Sequence, residues 1–189
     1  WVNREENHIR INWNTDQPFA EILDEIGKIP LPPYMERDTE LSDSDRYQTL
    51  FSEKLGAVAA PTASLHFSEE VLADLDRRNI PKTYLTLHVG AGTFLPVKEE
   101  DVRNHPMHRE QLVFTPELIK TLLTHRGPFI PVGTTALRAL ESLYWSGVWL
   151  LEKRPMDNGV LVIPKEFAYE LRSTIRIKDS LEAIIRYLE

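Results

Sequence analysis

The 189-residue sequence contains no cysteine. This absence excludes disulfide bonds, thiolate metal sites and cysteine nucleophiles, and it fits a protein of the reducing cytoplasm. The sequence also lacks a run of about 18 apolar residues that could span a bilayer. No basic segment followed by an apolar one marks a signal peptide. We therefore expect a cytoplasmic protein that binds no membrane.

Positive charge is in short supply, because 22 Lys and Arg face 29 Asp and Glu and the net charge is −7. Binding nucleic acid without regard to its sequence requires clustered Lys and Arg, so the composition argues against that class of function. One local exception is the basic run Arg103–Arg109, with Lys120 and Arg126 nearby. It is either a basic face or, as we prefer, a solvated surface of mixed charge.

Capping residues and apolar spacing predict a series of helices. They are expected at Pro18–Ile26, from Ser44 to Gly56, after Ser68, after Thr115-Pro116 and at Thr134–Trp145. Alternation of side chains predicts a half-buried strand at His8–Trp13 and a further strand at Lys82–Val89, and Phe129–Val132 is predicted as a short strand. Strands that alternate with helices indicate an α/β fold with a largely parallel or mixed sheet.

The chain is predicted to divide into two parts. Residues 1–147 are expected to form an α/β catalytic-domain fragment, and residues 148–189 an α+β tail or insertion packed on it. The tail is predicted to contain short strands and a final helix capped by Asp179. The strands are expected at Val148–Leu151, Gly159–Ile163 and Ser173–Ile177.

Two glycine-containing turns follow predicted strands, where ligands bind in α/β folds. The run Val89–Leu95 lacks the third glycine of a dinucleotide fingerprint and is followed by Pro96, so we reject dinucleotide binding. It is either a tight turn or a place where the backbone approaches a ligand. Gly133-Thr134-Thr135 is either a plain helix cap or an anion-binding helix start. Arg138 and Glu141 form a surface pair or orient a polar substrate.

The histidines raise the question of a metal site, since His105 and His108 lie close to Glu110 in the sequence. Pro106 disturbs helical spacing there and no H-E-x-x-H motif is present, so we predict no metal and keep a metal-dependent hydrolase as a minor alternative. Because histidine titrates near neutral pH, acid–base or hydrogen-bonding roles are preferred.

Four runs rich in small residues and proline suit a pocket rather than a core, because such residues bury little area. They read I-P-L-P-P-Y-M-E-R (Ile29–Arg37), G-A-V-A-A-P-T-A-S-L-H-F (Gly56–Phe67), L-H-V-G-A-G-T-F-L-P-V (Leu87–Val97) and V-G-T-T-A-L-R-A-L-E-S (Val132–Ser142). In this order they resemble the S-adenosylmethionine:tRNA ribosyltransferase-isomerase family of queuosine biosynthesis. Ser64 replaces the family's usual Gly and Ala136 its usual Ser, as in a divergent branch. Members of that family are longer at both ends, so the chain, which begins at Trp1, is expected to be a piece of a longer protein.

The resemblance implies a barrel-like catalytic domain that moves the ribosyl group of S-adenosylmethionine onto 7-aminomethyl-7-deazaguanine in tRNA, giving epoxyqueuosine. S-adenosylmethionine is then a substrate, no cofactor is expected, and tRNA is the partner. His66, His88 and His108 are expected to transfer protons, with Glu110 orienting a histidine. The residues expected to bind substrate are Tyr34, Arg37, Tyr47, Gln48, Thr62, Gly92, Thr93, Gly133, Thr134, Thr135 and Arg138.

Two questions stay open at this point, the function of the chain and the role of Tyr47. The chain could be a non-catalytic S-adenosylmethionine- and tRNA-binding domain whose catalysis lies in other segments. Tyr34 and Tyr47 border the small-residue runs and could stack on a base, but Tyr47 fits the apolar face of a helix equally well.

Overall fold

In the part of the chain that the structure describes, the elements of the first half are short, and the two longest helices lie in the second half. The computed structural model describes residues 2–3, 8–9, 12–53, 57, 59–90, 92, 99–104, 108–170 and 174–189. The helices are α1 (Phe19–Ile26), α2 (Asp43–Arg46), α3 (Glu69–Arg77), α4 (Pro116–Thr124), α5 (Thr134–Leu151), α6 (Phe167–Glu170) and α7 (Ile177–Leu188). Short 3-10 turns occupy Pro33–Met35, Thr62–His66 and Val102–Asn104. Among the described residues, no helix has the length and apolar character needed to cross a bilayer.

The strands form two separate antiparallel pairs. β1 (Val2–Asn3) pairs with β2 (His8–Ile9), and β3 (Thr86–His88) pairs with β4 (Gln111–Val113). In the second pair Thr86 lies opposite Val113, and the last residue of β3 lies opposite the first residue of β4. The strand predicted at the N-terminus is limited to β2 within the described residues.

The parallel pairing predicted from the sequence is not observed in the part of the chain that the structure describes. Of the predicted strand Lys82–Val89, only the three-residue segment β3 is a strand, paired with the three residues of β4. The predicted strand Phe129–Val132 does not form. Pro131 has no N–H to donate to a ladder, and Ile130 is 86% exposed. The larger barrel-like arrangement stays a prediction.

Side-chain caps start two of the helices as predicted. The Ser68 hydroxyl accepts a hydrogen bond from the Val71 amide at 3.3 Å, and α3 follows. The Thr115 hydroxyl accepts from the Leu118 amide at 3.2 Å. Pro116 then takes the first position of α4, where no N–H is needed. Both predicted helix starts are confirmed.

α1 confirms the first predicted helix, but the second, predicted from Ser44 to Gly56, is much shorter. α2 ends at Arg46, and the last three residues of the predicted range lie outside the described residues. The Thr49 hydroxyl accepts a hydrogen bond from the Phe51 amide at 3.3 Å, and the Thr49 carbonyl accepts from the Ser52 amide at 3.1 Å. This local turn competes with helical hydrogen bonding and ends the helix.

The predicted division between residues 147 and 148 falls inside α5, which runs on to Leu151. The strand prediction for Val148–Leu151 is therefore wrong. An apolar run of this length suits either a strand or a buried helix, and Val148, with 0% of its surface exposed, lies in a buried helix. The sequence pattern could not distinguish the two.

The remaining tail predictions are met only in part. Gly159–Ile163 contributes a single antiparallel bridge between Asp157 and Val160, closed by a two-residue turn with positive φ at both positions. The predicted strand Ser173–Ile177 begins at a residue outside the described ones, and its last residue starts α7. The final helix is confirmed, but Asp179 lies in its first turn rather than at the cap.

The main hydrophobic core lies between α4, α5 and α7. Its buried members, each at most 5% exposed, are Ile119, Leu143, Leu181 and Ile184. The half-buried residues packed against them are Phe114, Leu122, Leu123, Leu150 and Ile185. We call α4, α5 and α7 the helical region.

A glycine allows α5 and α7 to approach closely. A Cβ atom at Gly147 would overlap the hydroxyl and carbonyl oxygens of Ser180. Ser180 is fully buried, and its hydroxyl donates to the Tyr144 carbonyl at 2.6 Å. The Tyr144 hydroxyl donates to the Ile175 carbonyl at 2.9 Å. The close crossing is therefore fixed by both steric fit and hydrogen bonds.

Candidate active site

A histidine and a glutamate form a hydrogen-bonded pair just before β4. His108 Nε2 lies 3.0 Å from Glu110 Oε1, and the two side chains are 24% and 10% exposed. A carboxylate at this distance holds the imidazole in one orientation and favours the tautomer with the proton on Nε2. This is the contact that the predicted role of Glu110 requires. The catalytic role of the pair stays a prediction.

Gly92 provides the space that His108 occupies. A Cβ atom at Gly92 would lie 2.5 Å from the Cβ and 2.8 Å from the Cγ of His108. Real Cβ atoms do not approach so closely, so a larger residue at this position would displace the imidazole. The glycine run of the third motif therefore contacts the histidine pair, while its neighbour Thr93 lies outside the described residues.

The second motif contacts both the third and the fourth. The Ala59 amide donates to the Val89 carbonyl at 3.4 Å, and both residues are 4% exposed. A Cβ atom at Gly133 would lie 3.0 Å from the Cβ of Ala63. Gly133 also has φ of +89°, a conformation that favours glycine. Small residues thus allow three distant stretches of sequence to meet, which supports their predicted membership of one pocket.

The other two predicted catalytic histidines, His66 and His88, lie in the second and third motifs. Neither side chain has a hydrogen-bonding partner among the described residues. His66 ends the 3-10 turn that starts at Thr62, and both residues are exposed. His88 is half-buried at the end of β3, directly opposite Gln111 of β4. Opposite residues of an antiparallel pair share a face of the sheet. His88 and the segment that carries His108 are therefore neighbours.

The two tyrosines that were predicted to bind substrate differ in exposure, and one of them lies in the proline-rich first motif. Tyr34, in that motif, is 75% exposed, whereas Tyr47 is 8% exposed and its phenol pKa is raised by burial and then by the nearby Tyr34. Tyr34 is available to stack on a base, and Tyr47 packs inside the protein. Gln48, the next residue, is exposed and its side chain has no hydrogen bond among the described residues.

Arg37 is bound to an aspartate that the sequence did not single out. Its guanidinium donates to both carboxylate oxygens of Asp43, at 2.7 and 2.8 Å. These hydrogen bonds, followed by one from the Glu40 amide, lower the pKa of Asp43 from 3.8 to about 2, and the same pair raises the pKa of Arg37. Arg37 therefore has a local partner that the sequence did not indicate, and its role in substrate binding stays a prediction.

The first turn of α5 carries the remaining predicted residues. Thr134 and Arg138 are exposed and Thr135 is half-buried. None of their side chains has a hydrogen-bonding partner among the described residues, and the surface ion pair considered for Arg138 and Glu141 does not form there. Within the described part of the chain, Arg138 thus has no ion-pair partner at the start of a long helix.

Among the described residues, three of the four Lys and Arg side chains in and near the basic run lie close to a carboxylate, as the mixed-charge interpretation predicts, whereas Arg126 does not. Arg103 binds Asp101 at 2.7 Å and Arg109 lies 3.7 Å from Asp157. Lys120 lies 3.7 Å from Glu189. In the described part of the chain, no three His, Asp or Glu side chains form a group that could hold a metal ion.

A profile of the family described as queuosine biosynthesis protein matches residues 1–172. The chain is similar to proteins named S-adenosylmethionine:tRNA ribosyltransferase-isomerase. The relative from Acinetobacter baumannii (strain AYE) is 51% identical over 67% of this chain and 38% of its own length. The relatives from Acidithiobacillus ferrooxidans and Acinetobacter baylyi are 46% and 44% identical over 74% and 78% of this chain. The chain spans 38 to 44% of the length of these three relatives. No solved structure matches.

Proposed function

The chain belongs to the queuosine biosynthesis protein family, and from this we propose that it is part of an S-adenosylmethionine:tRNA ribosyltransferase-isomerase of the cytoplasm. The reaction transfers and isomerises the ribosyl group of S-adenosylmethionine onto 7-aminomethyl-7-deazaguanine in tRNA. Epoxyqueuosine forms, and adenine and methionine leave. The names of the relatives and the meeting of three predicted motifs support this proposal.

The observation that carries the proposal is the His108–Glu110 pair against Gly92. Ribosyl transfer requires a base that removes a proton from the attacking amine or a ribose-derived intermediate, and an acid that assists the departure of adenine. An oriented, half-buried imidazole is suited to either step, and Glu110 positions it. His88 on the neighbouring strand and His66 supply the remaining proton transfers. The adenosyl and methionyl groups bind along Gly92, Thr134 and Thr135.

The test uses S-adenosylmethionine labelled in its ribose, the full-length protein and tRNA that carries the 7-aminomethyl-7-deazaguanine base. Transfer of label to the tRNA together with release of adenine is the expected result. A folded full-length protein that transfers no label would contradict the proposal.

The limited span of the chain favours one second candidate, a module that binds S-adenosylmethionine and tRNA while other segments catalyse. His66→Ala and His88→Ala in the full-length protein separate the two functions. A loss of turnover with unchanged substrate affinity supports catalysis by this chain. A loss of affinity alone supports the binding module.

A further inference from the structure

The contact between Arg37 and Asp43 uses one particular edge of the guanidinium. Nη1 donates to Asp43 Oδ2 at 2.8 Å, and Nη2 donates to Oδ1 at 2.7 Å. The second hydrogen of Nη1 is used as well, because Nη1 also donates to the Asp38 carbonyl at 2.9 Å. Asp43 thus holds the end edge of the guanidinium, the one formed by its two terminal nitrogens.

The side edge of the same guanidinium stays open. Arginine has five N–H donors, and the contacts above use three of them. The two that remain are the Nε hydrogen and the second Nη2 hydrogen, which point in parallel, and neither has an acceptor among the described residues. The Arg37 side chain is 37% exposed, whereas that of Asp43 is 5% exposed. A ligand can therefore reach the arginine but not its partner.

Two other arginines of the described residues bind an aspartate through a different edge. Arg103 contacts Asp101, and Arg176 contacts Asp179, each through Nε and Nη2. In both pairs the aspartate occupies the side edge, where a ligand would bind, and both arginines are more than three-quarters exposed. These are local surface pairs.

The backbone fixes the geometry of the Arg37 pair from both sides. Glu36 has φ of 48°, in the left-handed region, and its amide donates to the Pro33 carbonyl at 3.2 Å. The Thr39 hydroxyl donates to the Ile29 carbonyl at 2.9 Å and closes the loop. On the other side, Asp43 Oδ2 accepts from the Glu40 amide at 2.8 Å. The aspartate is therefore anchored independently of the arginine.

We infer that Asp43 is a positioning residue, which holds Arg37 so that its Nε–Nη2 edge binds two oxygens of a substrate oxyanion. The inference rests on the proposed function, which supplies two such anions: the carboxylate of S-adenosylmethionine and a phosphate of tRNA. Both match the spacing of a guanidinium fork. Because the charges of Arg37 and Asp43 nearly cancel, the pair contributes oriented hydrogen bonds more than net positive charge.

The test measures binding to the full-length protein by calorimetry and requires no turnover. The ligands are S-adenosylmethionine, its decarboxylated form and an anticodon stem-loop that carries the 7-aminomethyl-7-deazaguanine base. Asp43→Asn weakens the hold on Arg37, while Arg37→Lys keeps the positive charge but removes the fork. Each is expected to weaken binding of the recognised anion roughly 10- to 100-fold. Asp179→Asn, the same change in an exposed pair, is the matched control and should change no affinity.

The ligands distinguish the two sources of the anion. If the variants weaken S-adenosylmethionine but not its decarboxylated form, the carboxylate is the ligand. If they weaken binding of the stem-loop but not of S-adenosylmethionine, the ligand is a phosphate; because Arg37→Lys keeps the charge, the salt dependence of stem-loop binding should then stay unchanged. A purely structural role would lower stability without distinguishing these ligands.

Unchanged affinity for all three ligands in folded Arg37→Lys would overturn the inference. The same result in Asp43→Asn alone would overturn the positioning role of Asp43. An unmodified protein that binds neither S-adenosylmethionine nor the stem-loop would instead refute the proposed function. Arg37→Lys serves as the deciding variant if Asp43→Asn does not fold.

Discussion

The helical region and the loops that carry the candidate site are held together by different interactions. We call residues 29–53, 59–90, 92 and 108–113 the site region. The buried apolar residues of the helical region are Leu118, Ile119, Ala139, Leu143, Val148, Leu181, Ala183 and Ile184, whereas those of the site region are Tyr47, Ala59 and Val89. The site region relies instead on polar contacts such as Arg37–Asp43 and on the close approach of His108 to Gly92.

Because of this difference, we assign the stability of the fold and the chemistry of the site to different parts of the chain. Large apolar side chains contribute most to the free energy of unfolding because they remove the most surface from water. Small residues and prolines bury less, but they leave room for ligands and for oriented polar groups. The helical region is therefore expected to support the fold, and the site region to present the reacting groups.

The largest expected effect is on activity, from His108→Gln. Loss of a positioned acid–base group typically lowers kcat by about 10²- to 10⁴-fold. The loss of stability should be much smaller, because the glutamine amide can still donate a hydrogen bond to Glu110. His125→Gln is the matched control, because His125 is exposed and packs against Phe129 outside the site region. Label transfer and urea unfolding of both variants test the prediction. Equal activities would contradict it.

The next largest effect is on stability, from Leu143→Ala. Leu143 is 2% exposed in the core, so its truncation is expected to cost about 2–5 kcal/mol in the free energy of unfolding. The rate of label transfer per folded molecule should not change. Leu41→Ala is the control, since Leu41 is 97% exposed. A loss of less than about 0.5 kcal/mol at Leu143 would show that the core is not where we place it.

Gly147→Ala tests the close crossing of α5 and α7. Alanine is the better helix former, but its Cβ would overlap Ser180. We expect a net loss of about 1–3 kcal/mol from overpacking, measured by chemical denaturation. Gly127→Ala is the same change where the atoms nearest to the added methyl belong to the ring of the exposed His125. A more stable Gly147→Ala protein would refute the crossing.

The smallest effect concerns acid sensitivity in the site region. The pKa of Asp43 is about 2 in the folded protein against 3.8 for an unperturbed carboxyl. Its contribution to stability is therefore complete above pH 3.8 and is lost as the pH falls through about 2. The difference in urea midpoint between the unmodified protein and Asp43→Asn should be constant near neutral pH and shrink over that acidic range. A difference that persists at the lowest pH would contradict this account.

Local signals in the sequence were enough to predict several elements. Ser68 and Thr115 gave the starts of α3 and α4, since a hydroxyl cap acts within three residues. The length of α2 could not be predicted, because the sequence does not show whether the residues around Thr49 form helical hydrogen bonds or a local turn. The partner of β3 is distant in sequence, and its antiparallel orientation was missed.

In the candidate site, too, only contacts between residues close together in the sequence could be predicted. Glu110 was paired with a histidine because only one residue separates it from His108. Asp43 was not predicted as a site residue, because its contact with Arg37 depends on the left-handed backbone conformation of Glu36, which no sequence motif indicates. The steric contact between Ala63 and Gly133 joins segments that are 70 residues apart, so only the family resemblance suggested that they belong together.

Native-state hydrogen exchange tests the central claim most directly. The amides of α5 between Leu143 and Val148 should exchange only through global unfolding, with the full free energy of unfolding. The amides of Ser64 and Phe67, which bond to the Pro61 and Ser64 carbonyls at 2.8 and 3.2 Å, should exchange through local opening with a clearly smaller free energy. Equal protection of the two sets would show that the site region and the helical region unfold as one unit, and would contradict the account.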